Sequence, residues 1–320
     1  MNLELLASDV FRNAMIAGTI AAAVTALVGY FVVLRAQAFA AESLLDVSFA
    51  GATGAALLGI APILGAAVLG LGAALGIGAL GEKARERSVE IGMVVSFALG
   101  LGIFFLSLYA RGSASHANAG MAILFGSLLS VRPQDIMRLI GISAVVLGGF
   151  AGVFRPLLFA TVDPEGARAR GVPVRLLSTL FLLILALAAA AGALAVGILL
   201  AAALLIAPAA AAVRLSRRPA STLLLSLCLG IGITWGGILI SFLRPWRHPP
   251  VGFSVSALAA AVYFIAVAAS PRAYARRGKT IIIGDNAETA QWTFKRGTSR
   301  KGSTRLSRSS AKGGPSHAGP

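Results

Sequence analysis

From Leu176 to Val213 the chain carries no charged residue. A helix crosses a bilayer with about 20 apolar residues. An uncharged run of this length therefore holds two spans, with a break expected around residues 192–197. Six further stretches follow the same rule. Residues 13–34 form one span between Arg12 and Arg35, and residues 47–81 hold two short ones with Pro62 near the turn. Residues 91–110, 136–154 (with Arg138 near its start), 221–243 and 251–270 complete the set. That makes nine candidates, or eight if one short segment is re-entrant. The expected fold is all-α, a polytopic bundle of 8–9 transmembrane helices. Composition agrees, with 57% hydrophobic and 12% charged residues, where soluble domains carry about a quarter charged.

The net charge of +16 does not indicate nucleic acid, because of where it lies. Residues 271–320 hold 11 Lys/Arg and 2 Asp/Glu, which is +9. The rest sits mostly in short loops, as the positive-inside rule requires. The groups Lys83/Arg85/Arg87, Arg155/Arg168/Arg170/Arg175, Arg214/Arg217/Arg218 and the tail are expected in the cytoplasm, with Arg244, Arg247 and His248 outside. The chain thus divides into a membrane domain, residues 1–270, and a basic cytoplasmic tail, residues 271–320, expected to lie against anionic lipid. The first residues lack the positive start of a cleaved signal peptide, so the first span is expected to direct insertion. A single cysteine, Cys228, excludes an internal disulfide and is expected to be a buried membrane-helix residue. The pairs Gly72/Gly76 and Gly232/Gly236 have the spacing that lets helix backbones approach closely.

One polar island interrupts the apolar pattern at residues 163–171, and it has the grammar of a short helix. Asp163 suits the N-cap, and Pro164 suits the first helical position, where no N–H partner is needed. Glu165 favours the positive end of the helix dipole, Arg168 and Arg170 favour the negative end, and Gly171 can take the left-handed conformation that ends a helix. Such an island is either a decorated loop or a handle gripped from the cytoplasm. Gly278-Lys279-Thr280 ends like a phosphate-binding loop, but Ala273 stands where the pattern needs glycine. No catalytic motif and no cofactor-binding fingerprint is found, so no catalytic residue and no bound cofactor is expected, and any driving energy must come from elsewhere.

Several stretches together resemble the permease subunit of metal-ion ABC transporters of the manganese, zinc and iron type. They are Gly29-Tyr30-Phe31-Val32-Val33-Leu34-Arg35, Leu124-Phe125-Gly126-Ser127-Leu128-Leu129, Phe159-Ala160-Thr161-Val162-Asp163-Pro164-Glu165-Gly166-Ala167 with Gly171, Val196-Gly197-Ile198-Leu199-Leu200, and Leu204-Leu205-Ile206-Ala207-Pro208-Ala209. The resemblance covers roughly residues 10–270 and implies a dimeric permease in the plasma membrane. It also implies an extracytoplasmic metal-binding receptor and a cytoplasmic ATPase docked on loops that include Asp163, Pro164, Glu165, Ala167 and Gly171. A divalent metal ion is then the transported substrate.

One departure from the family pattern bears on the metal. After the first span such permeases show an acidic residue followed four positions later by histidine. Here Glu42 fits the acidic position and Asp46 stands where the histidine is expected. Four residues apart, the two share one helix face. A charge at mid-bilayer costs about 2.5–3.5 kcal/mol on insertion scales, and two adjacent carboxylates repel unless a cation lies between them. The pair is therefore either a cation site or an interfacial feature near Arg35. All-oxygen ligands are harder than imidazole and suit Mn²⁺ or Fe²⁺ better than Zn²⁺. Glu90 and Asp135 open their spans and are expected to act as helix N-terminal acids. Two other classes compete with the importer: a carrier driven by an ion gradient, which would show inverted halves with midplane acids, and a membrane scaffold that has lost transport. The family's histidine sits within a Ser-His-Ala type sequence, and Ser115-His116-Ala117 matches that triplet only by coincidence, because it falls in an expected outer loop.

Overall fold

A computed structural model describes residues 9–80, 88–111, 133–216, 218–242 and 251–269. The 124–129 stretch, Ser115-His116-Ala117, Lys83/Arg85/Arg87, Arg217, Arg244, Arg247, His248 and the tail, including Gly278-Lys279-Thr280, lie outside the described residues. The described residues form nine long helices and one short one: α1 (Asp9–Leu34), α2 (Ala38–Leu57), α3 (Pro62–Leu80), α4 (Ser88–Ala110), α5 (Pro133–Val162), α6 (Pro164–Ala169), α7 (Val174–Val196), α8 (Ile198–Leu215), α9 (Pro219–Phe242) and α10 (Val251–Ala269). No strand is present among them. Seven of the long helices are long and apolar enough to cross a membrane. The other two are α2, which carries Glu42 and Asp46, and α8, which is shorter. The nine long helices follow the nine expected stretches in order, but α2 begins at Ala38, nine residues before the expected start at 47, so Glu42 and Asp46 lie inside a helix and not before one.

The bundle is organised around α1, α7 and α8, which pack on one another. α1 also meets α5 and α9; α7 meets α2, α3 and α5; α8 meets α2, α9 and α10. α4 packs on α2 at the edge, with Val94, Phe97, Ile103 and Phe104 on its open surface. In lipid, hydrophobicity does not drive helices together, so close backbone packing must. A side-chain carbon at Gly29 would overlap the Leu205 carbonyl of α8, and one at Gly51 would overlap the Gly65 carbonyl of α3. The GxxxG pairs behave differently: Gly72, Gly76 and Gly232 face open space, and Gly236 meets only the Leu258 side chain. Glycine spacing marks a capacity for close approach, and the crossing that uses it is chosen by the rest of the helix face.

Three further expectations are corrected. The 136–154 span is longer, because α5 continues through Pro156 to Val162. Proline removes one ladder bond, but the extra turns are held from outside by the buried Leu157 and Ala160. Arg155 therefore lies within a helix and not in a loop. The break in the uncharged run is confined to Gly197, whose φ of 93° joins α7 directly to α8; this is a backbone region that L side chains rarely adopt. Cys228 is exposed and not buried, because α9 turns Thr222, Ser226, Gly230 and Thr234 inward, where Ser226 donates to the Ala26 carbonyl of α1 at 2.9 Å.

Gly29→Val should force α1 and α8 apart. Overpacking of this kind costs about 1–3 kcal/mol or more, so a thermal-unfolding assay in detergent is expected to show a midpoint several degrees lower by that estimate. Gly72→Ala should leave the midpoint unchanged.

Candidate functional site

Two clusters at the α1–α2 corner and the α5–α7 junction carry the polar chemistry. The first is the carboxylate pair. Glu42 lies on the second turn of α2 and Asp46 one turn further, about 6 and 12 Å along the axis from Ala38 at a rise of 1.5 Å per residue. A 20-residue helix spans about 30 Å, so Asp46 lies close to its middle. Ala41, Leu44 and Ser48, across the helix from the pair, are buried, and so are Phe49, Ala50 and Thr53, which continue the pair's own face beyond Asp46. Glu42 is exposed and Asp46 half-buried, so their shared face is open at the N-terminal end of α2, around Phe39 and Glu42, and closes beyond Asp46. The two carboxylates are close enough to interact electrostatically. Among the described residues neither has a hydrogen-bond or ion-pair partner.

No group of three or more His, Cys, Asp or Glu that could hold a metal occurs among the described residues. Two carboxylates supply at most four oxygens, whereas Mn²⁺ favours six in an octahedron. The pair can begin a shell for a hard cation, and water or a second copy of the chain would have to complete it. Glu90 and Asp135 lie in the first turns of α4 and α5, as expected of helix N-terminal acids. Asp135 also pairs with Arg138 at 3.3 Å.

The second cluster is the island, which folds as its sequence grammar requires. Pro164–Ala169 is helical, and the Asp163 carboxylate accepts the Gly166 amide at 2.9 Å. Gly171 has a φ of 77°, the left-handed conformation expected of it. The Gly171 N–H donates to the Arg168 carbonyl and the Val172 N–H to the Ala167 carbonyl. This is the reciprocal pair of the Schellman motif. Ala167 is fully buried in the main core, while Glu165 and Arg168 are exposed. The Arg170 guanidinium lies 5.3 Å from the centre of the Phe159 ring, which ties the end of α6 back to α5. The island is thus a pinned unit with a charged outer surface.

Between the two clusters stands Arg35, which the sequence marked as a flanking charge and as the end of the family-resembling stretch from Gly29, without a partner. It caps α1 at a corner of three residues, where the Ala36 N–H donates to the Val33 carbonyl and the Gln37 N–H to the Val32 carbonyl. Its guanidinium donates to Ser178 Oγ of α7 and, at 3.5 Å, to Thr161 Oγ1 of α5, and lies 5.7 Å from the centre of the Phe181 ring. Burial pushes this guanidinium below its ordinary pKa. Beneath it Phe31 packs on Phe150, Phe154 and Phe181, with ring centres 5.5, 5.6 and 6.1 Å away. No charge or motif rule could have found this cluster, because its members come from three separate helices.

The profile of the ABC 3 transport family matches residues 7–270. The manganese transport system membrane protein MntC of Halalkalibacterium halodurans is 30% identical over 270 residues, covering 84% of this chain and 90% of that protein. The manganese import system permease protein ScaB of Streptococcus parasanguinis is 30% identical over 232 residues, covering 72% of this chain and 81% of that protein. Among solved structures, PsaBC from Streptococcus pneumoniae in complex with Fab superposes with a TM-score of 0.73 at 27% identity, covering 83% of this chain and 94% of that one.

Removing the Asp163 cap by Asp163→Ala should cost about 1 kcal/mol. Hydrogen–deuterium exchange at the Gly166 amide is then expected to quicken about fivefold, in step with that energy. Unchanged exchange would show that the cap does not hold the island.

Proposed function

The chain belongs to the ABC 3 transport family, and from that premise we propose that it is the membrane-spanning subunit of an importer for a divalent metal ion, manganese before zinc or iron. The observation that carries this reading is the Glu42–Asp46 pair, two carboxylates where the face of a largely apolar helix passes from exposed to buried, with no ion-pair partner among the described residues. Unneutralised carboxylates within a bilayer are costly, and a transported cation relieves the cost while it is bound. The all-oxygen donor set favours a hard ion, and the MntC and ScaB relatives are named for manganese. Asp46 in place of the expected histidine thus shifts the ligand chemistry toward manganese and away from zinc.

The remaining parts of the reading follow from what this chain lacks or leaves open. A second permease copy faces the open surface of α2 and helps complete the ion's shell. A cytoplasmic ATPase grips the exposed side of Pro164–Ala169 and supplies the energy, while an extracytoplasmic receptor delivers the ion. The membrane domain ends near residue 270 and the basic tail lies in the cytoplasm against lipid. The permease does no covalent chemistry. It alternates between outward- and inward-facing states, and each state must bind the ion with a different affinity for transport to result.

The reading is tested by reconstituting the chain in liposomes with its ATPase and receptor and following Mn²⁺, Fe²⁺ and Zn²⁺ uptake. Asp46→Ala should abolish uptake with the complex still assembled. Unchanged uptake would place Asp46 outside the ion path. Glu165→Arg should uncouple ATP hydrolysis from uptake, and normal coupling would remove the island from the ATPase contact. Uptake without ATP would mark a gradient-driven carrier; docking without uptake of any metal would mark a scaffold.

A further inference from the structure

We propose that Arg35 is a positioning residue that couples the ATPase-facing island to the helix carrying the carboxylate pair. The inference rests on the importer reading above and adds to it the route by which movement at the island reaches α2.

Arg35 stands where three elements meet. Through the backbone it is the first residue of the α1–α2 corner, and Glu42 lies on the second turn of the helix that follows. Through its side chain it holds both helices that flank the island. Thr161 is two residues before the Asp163 cap at the end of α5, and Ser178 is in the second turn of α7. Thr161 Oγ1 itself donates to the Leu157 carbonyl at 2.6 Å, so its lone pair is held toward the guanidinium. The forked, planar guanidinium engages two acceptors and an aromatic face at once, which the single ammonium of lysine does not reproduce.

The corner can transmit force because it is not a loose loop. The paired backbone hydrogen bonds from Ala36 and Gln37 close it, and Gln37 accepts the Ala41 N–H at 3.0 Å, so α2 starts without slack. Ala36 is held at a φ of 53°, a left-handed conformation unfavourable for any residue with a side-chain carbon. Such strain persists where the surroundings fix the geometry. The aromatic cluster of Phe31, Phe150, Phe154 and Phe181 backs the same junction from within the bundle. Displacement of the α5–α6–α7 unit is therefore passed to the corner through Arg35, and from the corner to Glu42 and Asp46.

The experiment compares wild type, Arg35→Lys, Arg35→Met and the paired variant Thr161→Val with Ser178→Ala in the full reconstituted complex. It measures Mn²⁺ uptake, ATP hydrolysis and assembly with the ATPase. Coupling through Arg35 predicts that the Arg35 variants and the paired variant each lower the ions moved per ATP by about tenfold, the upper scale for contacts along a coupling network. Assembly and ATP hydrolysis should stay within about twofold of wild type, because neither the docking surface nor the ATPase is altered. The paired variant leaves Arg35 in place, so it separates lost contacts from a lost charge. A parallel fall in assembly, hydrolysis and uptake would show that Arg35 serves only folding and would overturn the inference. An unchanged ratio of ions to ATP would overturn it as well. Failure of wild type itself to take up manganese with ATP would instead overturn the importer reading.

Discussion

A bilayer offers no water to backbone amides and carbonyls, and the rest of this structure follows from that constraint. Each spanning segment must satisfy its own backbone, so each is helical. Interruptions survive only where protein surrounds them. Gly197 breaks the longest uncharged run at a buried point, and Pro156 is carried through α5 because side chains of α5 and Arg35 support the turns beyond it. The same solvent removes the usual hydrophobic drive for helix association, so the centre of the bundle is built from close crossings such as Gly29 against α8 and Gly51 against Gly65.

Charge is costly under the same constraint, and its placement separates the two working parts of the chain. The island keeps its charges on an exposed surface and buries only Ala167. Its stability comes from local capping at both ends, so it can present Glu165 and Arg168 without depending on a partner. The carboxylate pair is the reverse case. Glu42 and Asp46 sit on a packed helix with no countercharge within ion-pair reach among the described residues, and in the proposed reading the transported cation supplies that charge. Arg35 links these parts through its contacts with Thr161, Ser178 and Phe181.

Most of the architecture was legible in the sequence because hydropathy and capping are local. The nine apolar stretches locate the nine long helices, apart from the start of α2 and the end of α5, and Asp163, Pro164 and Gly171 each take the role their chemistry prescribes. What was not legible depends on which faces meet. The GxxxG pairs had suitable spacing yet point outward, whereas the glycines that do touch have no such signature. Cys228 was misplaced for the same reason, since apolar surroundings do not reveal which side of α9 faces lipid. The Arg35 cluster joins residues far apart in the chain, and no pattern in any one segment announces it. The carboxylate pair was visible as an i, i+4 pair, but its place at the edge of the buried part of α2 became clear only from the packing of that helix.

The most direct measurement is manganese accumulation in proteoliposomes holding this chain with its ATPase and receptor, compared with ATP and with a non-hydrolysable analogue. The importer account predicts accumulation against a manganese gradient with ATP and none with the analogue. Equal accumulation under both conditions, or none with ATP in an assembled complex, would contradict it.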